Sequence, residues 1–155
     1  MKTRKPKSHV VPHELVQDIG NLLEPKYKRI SVALDFSGTD FSTISHAIAQ
    51  GKKEAEYLLI HIVESAGASV LGNEIMDLQT ENDRENLVSY MNQMEEKGYT
   101  TTFRLGYGSP KTEIPKILND FSSDLLVMVA HVHRGLKDLI FGTTVEAVRH
   151  NLKIP

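Results

Sequence analysis

Three segments of the chain are near-continuous runs of aliphatic and β-branched residues: 29–35 (RISVALD), 56–63 (EYLLIHIV) and 124–129 (DLLVMV). Runs of this length without strict alternation are characteristic of strands covered on both faces. A fourth segment, 99–105 (YTTTFRL), alternates well enough to predict another strand. Between them the apolar period changes to that of a helix. After the turn residues FSGTD at 36–40, Thr39 or Asp40 can cap a helix carrying Ile44, Ala47, Ile48 and Ala55. Residues 73–97 read as a long amphipathic helix with Ile75, Leu78, Leu87, Tyr90, Met91 and Met94 on its apolar side, ended by Gly98. Residues 106–110 read as a turn, Ile114, Ile117 and Leu118 mark a helix closing near Phe121, and Val145, Val148 and Leu152 face inward from a last helix over 142–151.

The connecting stretches are of a different kind. Residues 1–13 read as a tail. Leu15, Ile19 and Leu22 have helical spacing, but Gly20 and Pro25 limit 13–23 to a short helix or an irregular lead-in. Residues 64–72 are small and Gly-rich and read as a mobile loop, and 130–141 as a long loop with a helical turn. Residues 1–28 thus form a basic tail and lead-in, and 29–155 one domain. Strands alternating with helices throughout predict right-handed crossovers and an α/β fold, a doubly wound open parallel sheet flanked by helices. In that architecture ligands sit at the carboxyl ends of the strands, near the switch in strand order. The loops after Asp35, Val63, Leu105 and Val129 are therefore the ones that matter.

Composition narrows the function. At 155 residues, 40% hydrophobic and 25% charged, the chain has the size and balance of one globular domain. A net charge of -2 gives no overall basic field for nucleic acid. The charge is uneven: removing Lys2, Arg4, Lys5 and Lys7 from that total leaves -6. This basic arm reads as a solvated disordered tail, a segment touching anionic lipid, or, least favoured, a nucleic-acid contact. With no cysteine, disulfides, thiol catalysis and thiolate metal sites are excluded. No run approaches the roughly 18 apolar residues of a membrane span, and the start lacks a signal-peptide core, so a cytoplasmic location is the default expectation.

The motifs VALDFSGTD, LLIHIVES, GYGSPKTEIPKIL and LLVMVAHVHRGLKDLIFGTTVEAVRH together resemble the universal stress protein family, from about Arg29 to Pro155. The segment HRGLKDLIFGTT followed by a helix is the most specific part. The lead-in HELVQDIGNLLEPKYKRISVALDFS also resembles the stress-protein module attached behind the membrane part of some Nramp-type metal transporters. The resemblance implies an adenine nucleotide alpha hydrolase-like fold, a homodimer, and ATP or another adenine nucleotide as ligand. It places Asp35 by the adenine end and the Ile62 backbone against the base. The family's phosphate loop reads glycine, two residues, glycine, nine residues, then glycine and Ser or Thr, which falls here on Val129, Val132, Gly142 and Thr143. Both leading glycines are valine. The family also ends in a fifth strand after the Ile-Pro pair, which often pairs across subunits; here that strand is missing.

Each of these positions has a plainer reading beside it. The Asp35 carboxylate can accept from a base or ribose hydroxyl, or cap its own turn. Ile62 can be a simple core residue. Gly142, Thr143 and Thr144 open a helix whose free N–H groups suit an anion, or the threonines simply cap it. Val129 and Val132 bear on the outcome most, because valine disfavours the left-handed backbone and fills the space a phosphate needs. ATP binding of useful affinity is therefore not expected. His131 and His133 form an HxH, but with no third ligand evident they predict no metal site. Arg134 and Lys137 can pair with phosphate or face solvent. His61 reads as a hydrogen-bonded core residue, and Asp83, Glu85, Glu95 and Glu96 as a solvated helix face. Ser37 sits in no nucleophile elbow, and no catalytic constellation stands out. The sequence thus favours a non-catalytic sensor or regulatory domain with a degenerate nucleotide loop. The cytoplasmic regulatory domain of a metal transporter and a weak ATP-hydrolysing stress protein are the alternatives.

Overall fold

The computed structural model describes residues 23–64, 73–129 and 143–155. Their elements run β1 (Arg29–Ala33), α1 (Asp40–Gly51), β2 (Glu56–Val63), α2 (Asn73–Glu96), β3 (Thr100–Tyr107), α3 (Pro110–Phe121), β4 (Leu125–Met128) and α4 (Thr143–Asn151). The four strands form one parallel sheet in the order β3-β2-β1-β4. The expected doubly wound α/β fold is therefore present.

The strand sequences are apolar on both sides because both faces are covered. On one face Ile30, Val32, Tyr57, Leu59 and Leu125 pack with Ile44 and Ala47 of α1 and with Leu87 and Met94 of α2. On the other, Leu58 and Ile60 pack with Ile114, Ile117 and Leu118 of α3 and Val148 of α4. Alternate residues of β1, β2 and β4 thus feed two cores, and neither could be made polar without leaving a helix unsupported.

Several boundaries differ from expectation for local reasons. Ala55 lies beyond α1, which ends at Gly51. A Cβ there would come within 2.5 Å of Ala55 Cβ and Ile30 Cδ1. The next residue, Lys52, turns the chain with φ 50. Gly106 and Tyr107 belong to β3 and not to a turn, because parallel pairing continues through Ile62↔Gly106 and Val63↔Tyr107. The chain then turns at Gly108, whose φ of 103 suits glycine and whose N–H bonds the Val63 carbonyl at 2.9 Å. The lead-in helix expected over 13–23 and the loops 65–72 and 130–142 lie outside the described residues. Among those described there is no fifth strand, but the chain returns to the sheet: Leu126 N–H donates to the Pro155 carbonyl at 3.0 Å, and Ile154 packs on the second core.

Candidate functional site

Chain connection reverses at β1. The crossover through α1 leads to β2 on one side, and the crossover through α3 leads to β4 on the other. Two loops therefore diverge from the carboxyl ends of β1 and β4, and the crevice between them is where such sheets receive ligands. Ala33 pairs with both Ile60 and Met128. Continuing that register puts Leu34 level with His61 and Val129, and Asp35 level with Ile62. Three of the expected positions, Asp35, Ile62 and Val129, thus share one rim.

The β1 side of the rim is tightly built. Asp35 is exposed. Its Oδ1 accepts from Ser37 N–H at 3.2 Å, so it does cap its own turn. The Asp35 N–H donates to Asp40 Oδ1 at 3.3 Å. Phe36, between them, adopts φ 58, a region bulky residues enter only when held there. Its ring lies on the His61 imidazole, centroids 4.3 Å apart. Thr39 is the N-cap of α1 but makes no side-chain cap bond; its hydroxyl pairs with Ser37 Oγ at 2.8 Å.

Asp40, the alternative to Thr39 as a cap, is buried, 2% exposed, with Oδ2 lacking any hydrogen-bond partner. Burial pushes its carboxyl above the ordinary value, and the neighbouring Asp35 carboxylate adds to this, while the Asp35 and Phe36 N–H groups pull the other way. Opposite, on α2, the Tyr90 hydroxyl is raised first by burial and then by Asp40.

The remaining positions separate the two readings of the rim. The Ile62 side chain is turned to the α3 and α4 layer, where a Cβ on Gly106 would meet its Cδ1 at 2.5 Å. Val129 follows β4 with 39% of its surface exposed. The described non-glycine residues with positive φ are Phe36, Lys52 and Ser122, so Val129 does not take the glycine conformation of a phosphate loop. Thr143 opens α4 and Thr144 is half-buried in its first turn. Val132 and Gly142, with His131, His133, Arg134 and Lys137, lie outside the described residues.

Sequence reasoning missed three side chains. Asp83 was placed on a solvated face but is 9% exposed, its Oδ2 3.5 Å from His61 Nε2. The signal was available: positions 83, 87, 90 and 94 repeat at helical spacing, so Asp83 shares the inward face of Leu87 and Met94. Asp40 carried no such signal. Glu146 sets a negative charge in the first turn of α4, its Oε1 3.8 Å from His150 Nε2. His61 does bond in the core, its Nδ1 2.9 Å from the Leu34 carbonyl. Among the described residues no group of three or more His, Asp or Glu could hold a metal ion, and no helix is long and apolar enough to cross a membrane.

An open parallel sheet with a crevice at the reversal of strand order defines the ligand-binding class of doubly wound α/β domains. Within that class the chain belongs to the universal stress protein family, whose family model matches residues 26–155. It is 25% identical over 142 residues to universal stress protein MJ0577 of Methanocaldococcus jannaschii, covering 79% of this chain and 88% of that one. It is 26% identical over 144 residues to universal stress protein Sll1388 of Synechocystis sp., covering 82% and 94%. The structure of MJ0577 superposes with a TM-score of 0.70 at 26% identity, over 84% of this chain and 94% of that one. In fold it is also similar to UspA from Lactobacillus plantarum, with a TM-score of 0.70 at 16% identity, over 84% and 95%.

Proposed function

We propose that this domain is a non-catalytic sensor whose crevice takes the nucleoside end of a small ligand on the β1 rim and holds a triphosphate poorly. The observation that carries the reading is Val129: a branched, 39% exposed side chain, outside the left-handed backbone region, at the exit of β4. A phosphate cradle needs small residues and inward N–H groups at that point. Glu146 in the first turn of α4 supports the same conclusion, since a carboxylate there opposes an incoming phosphate and offsets the helix dipole. On the other rim, the exposed Asp35 carboxylate and the main chain at Ile62 supply acceptor and donor groups suited to a ribose and a base. No nucleophile with an adjacent base stands on the described rim, which supports a binding role over a catalytic one. A ligand held there would act by favouring one conformation or one assembly of the domain. Self-association through an open sheet edge belongs to the same reading, because β3 is an edge strand.

Calorimetry tests the reading directly. ATP with magnesium should bind no tighter than about 100 μM, and adenosine at least as well as ATP. A dissociation constant near 1 μM for ATP would show that the β4 exit is no obstacle and would overturn the proposal.

A further inference from the structure

We propose that His61 and Asp83 form one proton-holding clamp that positions the Asp35 rim, so that ligand binding on that rim follows the proton on this pair. The ligand part of this rests on the reading of the Asp35 rim given above; the clamp itself rests on geometry alone.

His61 stands near the carboxyl end of β2, its side chain turned to the α1 and α2 layer and only 15% exposed. Nδ1 lies 2.9 Å from the Leu34 carbonyl oxygen. A carbonyl can only accept, so Nδ1 carries a hydrogen and donates it. Nε2 lies 3.5 Å from Asp83 Oδ2, an oxygen that is buried and has no hydrogen bond. With Nδ1 committed, a neutral ring would present a lone pair at Nε2 to an anionic oxygen. One proton between Nε2 and Oδ2 removes that conflict, whichever atom holds it.

That proton ties α2 to β2, and the Nδ1 bond ties β2 to Leu34. Leu34 precedes Asp35. Phe36, which follows it, is stacked on the same imidazole at 4.3 Å and is held at φ 58. A single ring thus holds the neighbours of Asp35 on both sides. Leu34 is held further by its own N–H bond to the Ile60 carbonyl at 2.8 Å. Phe36 has a strained backbone, held by the ring together with its packing against the first core.

The groups around the ring come from four elements. From α2 comes Asp83, while its neighbour Arg84 is turned onto the Phe103 ring at 5.6 Å. From the β1 loop come the Leu34 carbonyl and the Phe36 ring, with the Asp35 carboxylate next in the chain. Asp40 of α1 accepts from the Asp35 N–H, and Tyr90 of α2 lies close enough to Asp40 to feel its charge. From β3 the residue in register is the apolar Leu105. Loss of the proton leaves a lone pair facing a carboxylate. The contact between α2 and the ring then opens, and Phe36 loses its platform.

The test uses the full chain, labelled with 15N and free of ligand. The His61 ring nitrogens and the backbone amides of Asp35, Phe36 and Ser37 are followed from about pH 5 to 9. The three amides should move in the same step as the ring. Asp83→Asn can donate an amide hydrogen to a neutral Nε2 and accept through its oxygen from a protonated one, so the ring still titrates but the three amides should keep the low-pH positions and not follow it. His61→Gln can donate to Leu34 but offers no platform for Phe36. It should displace the same amides at every pH. Adenosine affinity in the unaltered protein should fall about fivefold across the step and stay level in Asp83→Asn.

Amides that ignore the ring step, or an Asp83→Asn profile identical to the unaltered one, would overturn the clamp. If the amides behave as stated but adenosine produces no heat at any pH, the clamp stands and the ligand reading of the rim falls.

Discussion

The two ends of the same sheet are built on opposite terms. At the amino end of the strands every neighbour is bonded to the next. The Asp124 carboxylate accepts from Lys28 N–H at 2.8 Å and Arg29 N–H at 3.0 Å, and Asp124 N–H donates back to the Arg29 carbonyl at 2.9 Å. Glu56 N–H reaches the Lys28 carbonyl at 2.8 Å. The Arg29 guanidinium meets Glu56 at 3.3 Å and lies over the Phe121 ring at 5.0 Å. The carboxyl end holds a bulky residue at positive φ and two buried carboxylates, each with an oxygen lacking a hydrogen bond. One end fixes strand register and contributes stability. The other keeps polar groups that a proton or a ligand can meet, which is where strain concentrates in functional proteins.

That division can be broken from either side. The largest effect is expected from Asp124→Ala, which removes two charge-assisted bonds, to Lys28 and Arg29 at the start of β1, and should lower unfolding free energy by about 2 kcal/mol in urea melts. Adenosine affinity should be unchanged; a parallel loss would show that the ends are not independent. Next, Val129→Gly with Val132→Gly should strengthen ATP binding about tenfold, or 1.4 kcal/mol, by calorimetry. Unchanged affinity would move the obstacle elsewhere, with Glu146 the next candidate. Smallest is Asp40→Asn, expected to raise stability at neutral pH by about 1 kcal/mol. Because burial raises this carboxyl in the folded state, folding favours its protonated form. Its contribution therefore declines as pH rises from about 4, the unfolded value, through the raised folded value. Thermal melts across that window should show the decline in the unaltered protein and not in the variant; parallel curves would reject the assignment.

Most of the fold was legible because burial on both faces writes itself as apolar runs. β2 matches its run at both ends, α3 follows its periodicity, and α2 does so through Leu87 and Met94, whereas Leu78, expected on the inward side, is 68% exposed. What the sequence hid depends on partners distant in the chain. β3 runs two residues further than its pattern because β2 supplies bonds as far as Val63. Of the candidate site, the placing of Asp35, Ile62 and Val129 on one rim follows from strand ends alone. The environment of Asp40 does not, since an Asp at a helix start ordinarily faces water and its neighbour Tyr90 lies far along the chain. Asp83 was readable in principle but was outweighed by the acidic residues around it.

The bond from Leu126 N–H to the Pro155 carbonyl also bears on how the molecule behaves in a crowded solution. β4 is only four residues long, and this contact uses part of its outward-facing backbone. Little template then remains for a foreign strand to copy. The returning tail thus guards the flank of the sheet against unplanned polymerisation.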